Sequence, residues 1–564
     1  MTSAPSAPSA APAALSPEQR RVLFASALGT VFEWYDFYLY GSLAGIIGDE
    51  FFAGLDRGSA FIFALLAFAS GFLVRPFGAL LFGRLGDLIG RKYTFLVTIL
   101  LMGLSTFIAG LLPGYAAIGV AAPMILVALR LLQGLALGGE YGGAATYVGE
   151  YAPRQARGAY TSWLQTTATL GLLFSLLVNV GLRRLLGNEA FVAWGWRLPF
   201  LASSALLAVS VWMRLRLNES PAFVRIRRAG RSSKAPLAEA LGRGPNLRRV
   251  LVALFGMTAG QGVIWYTGQF YVLVFLTHTL KVGGGLAGLL IGIALLLSIP
   301  LFWVFGRLSD RIGRRPVMLA GCLLAVLGYF PMFHALTAAA NPRLASAMAR
   351  HPVVLVAQPA QCSFPLRPQG GVPFTRACDI AKQALSALAV NYRRRAGRGV
   401  TRIEVGGASI PVFDARGLSP PRLQLRRQAL ERTLQAALLA AGYPARADPA
   451  AVNRPLVVLI LTLLVADVAM VYGPIAATLV ELFPTRIRYT SMGLPYNLGN
   501  GWFGGLVPTV AFALVAHDGG IYHGLWYPVL VAAMSFCVGL LLLPETRGAD
   551  IHAEDGGEPR RGCL

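Results

Sequence analysis

The sequence predicts an all-α membrane protein whose twelve transmembrane helices form two six-helix repeats, with a small α+β insertion between helices 9 and 10. Three observations predict this fold: an apolar composition, twelve long apolar runs, and two motifs that recur in both halves. Of the 564 residues, 55% are hydrophobic and only 13% are charged, whereas soluble domains carry about 25% charged residues. We therefore expect most of the surface to face lipid.

The net charge of +24 would by itself also be compatible with nucleic-acid binding, because basic surfaces attract phosphates. Most of the positive charge, however, lies in the breaks between the long apolar runs. This distribution is typical of membrane topology, and nucleic acid is not an expected partner.

Twelve apolar runs are long enough to cross a bilayer, which takes about 20 mostly apolar residues. They lie near 22–47, 60–82, 93–112, 118–137, 160–182, 196–213, 250–275, 286–305, 317–336, 456–480, 490–515 and 525–543.

The charges of the short loops predict the orientation. With the N-terminus inside, the inner breaks hold many arginines and ten basic residues between 214 and 249, whereas the short outer breaks hold Arg57, Arg183, Arg184 and Lys281. Since cytoplasmic loops are enriched in Lys and Arg, both termini are expected in the cytoplasm.

Residues 1–19 are rich in Ala, Ser and Pro and lack the features of a signal peptide, so we expect a disordered cytoplasmic tail there and a second cytoplasmic tail at 544–564.

Two motifs recur at matching positions in the two halves. The run Gly83–Lys92 (GRLGDLIGRK) follows the second helix of the first half, and Gly306–Arg315 (GRLSDRIGRR) follows the second helix of the other half. Glu150-Tyr-Ala-Pro153 with Arg157 and Glu481-Leu-Phe-Pro484 with Arg488 follow the two fourth helices with identical spacing. Parallel repeats around a midplane site are a plan known from transporters.

The spacing of these motifs locates an insertion. The first motif precedes the second by 67 residues in one half (83 to 150) and by 175 in the other (306 to 481), a difference of 108. The polar stretch 340–453 accounts for it and falls on the outer side. The remaining predicted units are a first bundle at 20–214, a cytoplasmic linker at 215–249, helices 7–9 at 250–339 and helices 10–12 at 454–543.

Inside the insertion, residues 353–356 form a short apolar run, residues 402–405 alternate like a strand, and residues 378–388 and 422–441 have helical spacing. Because the outside of the inner membrane is oxidising, we hypothesise a disulfide between Cys362 and Cys378, worth about 3 kcal/mol. The insertion is either a lid that captures substrate or a structural or partner-binding domain.

The chain resembles the major facilitator superfamily, and within it the metabolite:proton symporter family of proline/betaine, α-ketoglutarate, citrate and shikimate transporters. The resemblance rests on the two loop motifs above and on six further sequences: Phe32-Glu-Trp-Tyr-Asp-Phe-Tyr38, Arg75-Pro-Phe-Gly78, Arg130-Leu-Leu-Gln-Gly134, Gly138-Gly-Glu140, Glu219-Ser-Pro221 and Glu481-Leu-Phe-Pro-Thr-Arg486. It covers nearly all of the chain, although the insertion departs from the well-known members.

The resemblance implies proton-coupled symport of a small organic acid, a mono- or dicarboxylate, by alternating access. A compatible-solute symporter of the proline/betaine type is the first alternative, and a membrane sensor that has the same fold without transport is the second. It further implies a bacterial inner-membrane protein that acts as a monomer, with the lipid bilayer, protons and a solute as its partners. No cofactor, metal site or enzymatic activity is expected, because no nucleophile–base arrangement stands out and no Walker A sequence occurs.

Charged residues in helices 1 and 4 are the candidates for proton coupling. Glu33, Asp36 and Tyr40 share one face of helix 1, and Asp36 and Arg130 both fall near mid-membrane. A charge inside a membrane costs about 2.5–3.5 kcal/mol on insertion scales, so such residues usually pair or line a path. We hypothesise an ion pair between Arg130 and Asp36 or Glu33 that breaks when proton or substrate binds; a permanent structural pair is the alternative.

Helix 4 also carries Gln133, and Glu140 nearer its inner end. Gln133, Tyr40 and Arg130 are the candidate substrate contacts of the first half. Glu140 either passes protons to the cytoplasm or forms a salt bridge with a cytoplasmic arginine. For Arg75, a pore position and a position reaching towards the membrane surface remain open.

The second half offers mainly amides and aromatic residues as candidate substrate contacts. Asp467 is the acid deep in helix 10. Five further candidates are Gln261, Trp265 and Gln269 on helix 7 and Tyr496 and Asn497, with Asn500 close by, on helix 11. The alternative for each is a helix–helix hydrogen bond, worth about 1 kcal/mol.

The repeated loop motif provides the candidate gating residues. They are Asp87, Arg91 and Lys92 in the first half and Asp310, Arg314 and Arg315 in the second. In the superfamily that the chain resembles, this loop joins the two halves at the cytoplasmic side, where an Asp can cap a helix N-terminus. A cluster of charges that only sets topology is the simpler interpretation and does not exclude gating.

Overall fold

The computed structural model describes residues 17–53, 57–216, 218–358, 362, 375–397 and 399–551. The predicted N-terminal tail falls almost entirely outside these ranges, as do residues 552–564. The long helices are α1 (Pro17–Ser42), α2 (Arg57–Leu88), α3 (Arg91–Leu111), α4 (Ala121–Tyr151), α5 (Arg157–Leu186), α6 (Arg197–Leu215), α7 (Gly244–Thr279), α8 (Gly284–Ile312), α9 (Arg314–Ala340), α10 (Arg454–Leu482), α11 (Thr485–Val515) and α12 (His523–Leu542).

Of these helices, α3 to α12 are long and apolar enough to cross a membrane. Some side chains of α1 and α2 lie outside the described part of the chain. Short helices connect the long ones, at Ala44–Phe51, Tyr115–Ile118, Asn188–Ala190, Pro221–Arg228 and Pro236–Gly242. We call the end of the bundle with the repeated loop motifs the inner end and the opposite end the outer end.

Helix α4 extends well beyond the predicted run, which ends at residue 137. The helix continues through the glycine-rich stretch to Tyr151 because these glycines pack against other helices. An added Cβ at Gly138 would lie 2.1 Å from the carbonyl oxygen of Arg75, and one at Gly139 would lie 2.4 Å from Phe82 Cβ. Small residues of this kind let membrane helices approach closely.

The two most extensive contacts between the halves are matching helix pairs, α2 with α11 and α5 with α8. Helices α7 and α11 both contain π-helical turns, at Leu254–Thr258, Thr267–Tyr271 and Phe275–Thr279 in α7 and at Leu498–Gly504 in α11. Such turns are frequent at functional sites. Here α7 and α11 lie backbone against backbone, since a Cβ at Gly262 would lie 2.3 Å from the Gly499 oxygen.

The insertion contains a four-stranded sheet and accompanying helices. Its strands are β1 (Val353–Ala357), β2 (Tyr392–Ala396), β3 (Arg402–Val405) and β4 (Ala408–Pro411). They run in the order β2-β1-β3-β4, with β1 parallel to β2 and the other pairs antiparallel. Three helices accompany the sheet, at Pro342–Arg350, Ala377–Ala387 and Pro420–Ala440.

A disulfide joins Cys362 to Cys378 in this domain, with the two Cα atoms 5.2 Å apart. Leu355 and Ile403 of the sheet are fully buried, as are Leu385 and Leu434 of the helices. Apolar residues of the sheet and of the helices are therefore buried together, in an apolar core that is continuous with that of the bundle.

The insertion is attached to the outer loops of the second half. The amide of Tyr392 donates to the carbonyl of Gly519 between α11 and α12 (2.9 Å), and that of Ala447 donates to Lys281 between α7 and α8 (3.0 Å). The guanidinium of Arg394 pairs with Asp518 (3.1 Å). These bonds hold the domain to one half of the bundle.

Candidate functional site

At the inner end, a carboxylate of the first half caps a helix of the second. Asp87 accepts hydrogen bonds from the backbone amides of Tyr489 (3.3 Å) and Thr490 (2.9 Å), where the α-helical part of α11 begins after a 3₁₀ turn at Thr485–Ile487. Arg91 lies 3.3 Å from the same carboxylate and donates to the carbonyl of Thr485 (2.8 Å). A carboxylate at a helix N-terminus satisfies free amides and interacts favourably with the helix dipole.

The second half makes the same contact in the opposite direction. Asp310 accepts from the backbone amides of Gly158 (2.9 Å) and Ala159 (2.8 Å), in the first turn of α5. Arg314 pairs with this carboxylate at 2.6 Å. The two copies of the loop motif thus each cap a helix of the other half.

Buried ion pairs complete this contact. Glu150 pairs with Arg488 at 2.6 Å, and Glu481 pairs with Arg157 at 2.9 Å and with Arg314 at 3.1 Å. None of these side chains is more than 3% exposed. We call these pairs and the two aspartate caps the inner network; it joins the halves by reciprocal contacts.

Lys92 and Arg315, which the sequence groups with the gating residues, bond within their own halves. The amide of Lys92 donates to Glu219 (3.2 Å) and its ammonium to the carbonyl of Leu215 (3.0 Å). The amide of Arg315 donates to Glu545 (3.1 Å). Within the described ranges, neither side chain forms a hydrogen bond or an ion pair with the other half.

The segment after α12 crosses the inner network. The carbonyl of Gly548 accepts from Arg154 of the first half (2.5 Å), and that of Ile551 accepts from Arg488 of the second (3.1 Å). Thr546 donates to Glu481 (2.9 Å). The first eight residues of the predicted tail are therefore part of the contact between the halves.

Arg130 lies inside α4 and has free hydrogen-bond donors. Its side chain is buried, its guanidinium carbon lies 3.9 Å from the centre of the Tyr40 ring, and its Nε and Nη2 have no partner in the described structure. A cavity with room for about one water molecule adjoins it, lined also by Gly71, Met102, Gln133, Gly134 and Leu137.

Asp36 lies close to Arg130 but does not pair with it. No nitrogen–oxygen contact within 4 Å joins the two among the described side chains, and Asp36 Oδ1 has no partner. Its carboxyl lies beside the Thr106 hydroxyl instead, which accepts a hydrogen bond from Gln133 (2.6 Å) and donates one to the carbonyl of Met102 (3.1 Å). The predicted pair is thus absent from this structure because Arg130 stacks on Tyr40 while Asp36 turns to α3; the side chain of Glu33 lies outside the described part.

Glu140 forms a salt bridge, which was one of its two predicted alternatives. Its carboxylate lies 2.9 Å from Arg214 of α6, and both side chains are buried. The guanidinium of Arg214 also lies over the Phe95 ring at 3.5 Å. The partner arginine comes from the last turn of α6, which the sequence assigns only to the basic inner break.

Arg75 occupies a buried position between the halves. Its Nε donates to Asn497 Oδ1 of α11 (3.2 Å), and Asn497 in turn donates to the carbonyl of Gly138 in α4 (2.8 Å). Tyr496 shares a hydrogen bond with Tyr472 (2.7 Å). Of the two interpretations of Arg75, its 1% exposure favours the pore position.

The two glutamine side chains of α7, Gln261 and Gln269, differ in their hydrogen-bond partners. Gln261 and Asn500 form two hydrogen bonds with each other (2.9 and 3.2 Å) inside the second half, which is the helix–helix contact given as the alternative. Gln269 is buried, and both polar atoms of its side chain are without a partner among the described residues. Gln269 therefore remains a candidate for solute contact.

An aromatic cluster joins α1 and α7 in the outer half of the bundle. The ring centres of Trp34 and Trp265 are 5.4 Å apart, those of Tyr38 and Phe270 are 5.6 Å apart, and Tyr266 lies 4.7 Å from Trp265. Sequence reasoning singled out only Trp265 of these five. The Phe32–Tyr38 motif was the available signal for the other side of the cluster.

Asp467 is buried in α10, and neither oxygen has a hydrogen-bond partner in the described structure. It interacts electrostatically with Cys322 and Tyr329 of α9. Because α9 belongs to the same half, Asp467 faces the interior of the second bundle rather than the first half.

Comparison with known proteins agrees with this architecture. The family model described as "Sugar (and other) transporter" matches residues 22–249. The fold resembles the solved structure of the proton:xylose symporter XylE, of the major facilitator superfamily, with a TM-score of 0.63 and 16% identity over 95% of this chain and 98% of that one. The likeness of fold therefore extends over nearly the whole of both chains.

Curated relatives are closer in sequence. The chain is 38% identical to the inner membrane metabolite transport protein YhjE of Escherichia coli over 58% of its length and 74% of the relative's. It is 37% identical to the shikimate transporter of E. coli over 57% of this chain and 73% of that protein. It is 36% identical to the glycine betaine/proline/ectoine/pipecolic acid transporter OusA of Dickeya dadantii over 56% of this chain, a match that spans 64% of OusA.

The chain belongs to the major facilitator superfamily, among relatives that are transporters of metabolites and compatible solutes. The fold class and the family that the sequence predicts are therefore confirmed. This is a family of multi-pass membrane transporters and not of enzymes.

Proposed function

We propose that this protein is a secondary active transporter that carries a small carboxylate-bearing solute together with protons by alternating access. One observation supports the proposal most directly: the buried guanidinium of Arg130 has unpaired donors close to Asp36, whose carboxyl has no ion-pair partner among the described side chains and whose Oδ1 has no hydrogen-bond partner there. A cation and an acid without ion-pair partners are costly inside a membrane, and a bound carboxylate and a bound proton would satisfy both.

The coupling follows from charge. When a solute carboxylate pairs with Arg130, the nearby Asp36 loses the cation that favours its ionised form and takes up a proton. When the proton leaves Asp36, its negative charge competes for Arg130 and displaces the solute. Proton and solute therefore bind together and leave together.

Alternating access requires two closures that open in turn. The inner network, led by Glu150–Arg488 and Glu481–Arg157, closes the inner end. The aromatic contacts of Trp34 and Tyr38 with α7 close the outer half. We propose that the structure is an occluded state from which either set separates to open one side.

Two solute classes compete. An organic acid, mono- or dicarboxylate, suits Arg130 and a second buried cation, Arg75. A betaine or proline is the second candidate, and the cluster of Trp34, Tyr38 and Trp265 favours it, because aromatic rings bind quaternary ammonium groups. The relatives include carriers of both kinds.

Uptake into proteoliposomes under an imposed pH gradient tests the proposal, with dicarboxylates, shikimate, proline and glycine betaine as probes. We expect accumulation of at least one probe that collapses when a protonophore removes the gradient. Binding without flux would support the sensor alternative, and neither binding nor gradient-driven flux for any probe would contradict symport.

Two variants test the site itself. Asp36→Asn should abolish accumulation driven by the gradient while solute exchange continues. Arg130→Lys should raise KM about 10- to 100-fold, since a charge-assisted bidentate contact is worth about 1.5–3 kcal/mol. Arg183→Lys, at the outer end of α5 where the guanidinium contacts Asn188, is the matched control and should leave KM unchanged.

A further inference from the structure

We propose that Asp467 is a second proton-binding site, located inside the second half and separate from Asp36, which is occupied in this state and exchanges its proton during transport. The proposal rests on the proposed symport function. Asp467 lies in a different helix bundle from the Asp36–Arg130 site, in the half to which the proposed coupling mechanism assigns no proton.

The surroundings of Asp467 favour a neutral carboxyl. Its side chain is 4% exposed, and neither oxygen has a hydrogen-bond partner in the described structure. An isolated carboxylate in an apolar interior is so costly that the group neutralises by binding a proton. Asp467 also lies 14 residues before Glu481, about 21 Å along the helix from the inner network and therefore deep in the membrane.

The neighbouring helices supply no cation to pair with it. The titratable groups that interact with Asp467 are Cys322 and Tyr329, both on α9. Helix α7 carries Tyr266 and Tyr271 but no charged residue from 250 to 277, and α8 carries no titratable residue from 284 to 306. A carboxyl facing a thiol and a phenol becomes neutral by protonation, whereas a hard metal cation would need several oxygen ligands.

The position is particular to the second half. The offset between the repeats is 331 residues (Glu150 to Glu481), which aligns Asp467 with Ala136 and aligns Leu461 with Arg130. The acid is therefore not a shared feature of the repeat. Among the described side chains, each half contains a buried acid without an ion-pair partner, Asp36 on α1 in the first and Asp467 on α10 in the second. The two acids are separate positions for a proton, and the Asp36 proton controls solute release through Arg130.

Motion of α10 provides a reason for exchange. Glu481, in the last turns of α10, bonds to Arg157 and Arg314 in the closed inner network, and opening of the inner end must break its bond to the first half. The same helix carries Asp467 against α9. A shift of α10 that admits water from the inner side would let the carboxyl release its proton there, and reprotonation would follow from the outer side.

Infrared spectroscopy of the purified full-length protein tests occupancy, because the carbonyl stretch of a protonated carboxyl is resolved from carboxylate bands. We expect a band at neutral pH that shifts in deuterated water and is lost in Asp467→Asn. Glu140→Gln is the matched control: its acid is buried but paired with Arg214, so the variant should retain the band. A band unchanged in Asp467→Asn would overturn the proposal.

The proton:solute ratio, measured from reversal potentials in proteoliposomes with the probe that the uptake panel identifies, tests exchange. Asp467→Asn should lower the ratio by one proton and leave transport coupled through Asp36, whereas Asp36→Asn should abolish accumulation. A lost infrared band with an unchanged ratio would show a permanent structural proton and contradict the coupling role. If no probe is transported, the symport function fails, and the exchange claim that rests on it fails too, while the infrared result still decides occupancy.

Discussion

Glu150 and Arg488 form an ion pair of 2.6 Å between the two halves of the bundle, and neither side chain is exposed to solvent. Glu150 also accepts a hydrogen bond from Ser220, and Arg488 donates to the carbonyl of Phe483 (3.1 Å). Both charges thus have several partners while the inner end is closed. Opening that end must expose them to water.

The first prediction concerns this pair. Glu150→Gln should shift the protein towards the state with an open inner end, because removal of one partner of a buried pair costs about 3–5 kcal/mol. A cysteine placed at Thr146, which contacts Met492 of the other half, should react with a maleimide from the inner side at least about tenfold faster, the change expected from 1.4 kcal/mol.

Glu50→Gln is the control for that experiment. Glu50 pairs with Arg197 at 2.8 Å, but the two side chains are 34% and 24% exposed, and exposed pairs contribute about 0–1 kcal/mol. The labelling rate should not change in this variant. Equal rates in Glu150→Gln and wild type would show that the buried pair does not hold the inner end closed.

The second prediction concerns the two aspartate caps. Asp87→Ala and Asp310→Ala should each increase the same labelling, because the loss of a helix cap costs about 0.5–2 kcal/mol. The reciprocal geometry predicts effects of similar size. Asp448→Ala, in the insertion, should have none. A large effect in one cap variant and none in the other would contradict reciprocal gating.

The third prediction concerns the disulfide. Replacement of Cys378 by Ser should lower the free energy of unfolding of the insertion by about 3 kcal/mol, measured by hydrogen exchange of its peptides in the full chain. Peptides of α8 to α10 should be unaffected. Cys537→Ser, which removes an exposed free thiol, is the control, and mass spectrometry that finds Cys362 and Cys378 both free would contradict the bond.

The fourth prediction is a pH dependence in the insertion. Burial lowers the pKa of Lys382 from its ordinary 10.5, and the cation of Arg394 acts in the same direction, whereas Asp379 and Asp518 oppose it. Between the lowered pKa and 10.5, the unfolded chain binds more protons than the folded one, so stability should rise with pH in this window.

Lys382→Met should remove that rise. The readout is the ratio of exchange rates in the helix Ala377–Ala387 between variant and wild type at each pH, so that the intrinsic pH dependence cancels. Gln383→Met, a substitution at the adjacent exposed position, should retain the rise. A rise that persists in Lys382→Met would assign it to another group.

Local patterns were sufficient to predict the fold class and the repeat, because apolar length and short-range motifs carry that information. The exact partners across the interface were not predictable. The gating role of Asp87 and Asp310 is a prediction from the superfamily resemblance, but which amides of α11 and α5 these carboxylates accept from depends on how the two bundles dock. No short-range sequence pattern encodes how two separate bundles pack against each other.

The charged residues inside α1 and α4 show the same limit of prediction from sequence. Sequence reasoning selected Asp36 and Arg130 because charges in membranes are rare, yet it paired them, and the structure instead places Arg130 on Tyr40 and Asp36 near Thr106. Threonine and aromatic residues are too common in membrane helices to stand out. Strands β2 and β4 were also missed, since the run Arg393–Arg395 hides the alternation of β2 and β4 has only four residues.

The attachment of the insertion to loops of one half has a mechanical consequence. When that half rotates relative to the other, the domain must rotate with it. Because the far edge of the domain lies further from the rotation axis, it is displaced more than any helix end. Fluorophores on the loop after β3 and at the outer end of α4 would convert a small tilt of helices into a large change of distance. The displacement of the domain therefore reports, outside the membrane, on helix motions that take place inside it.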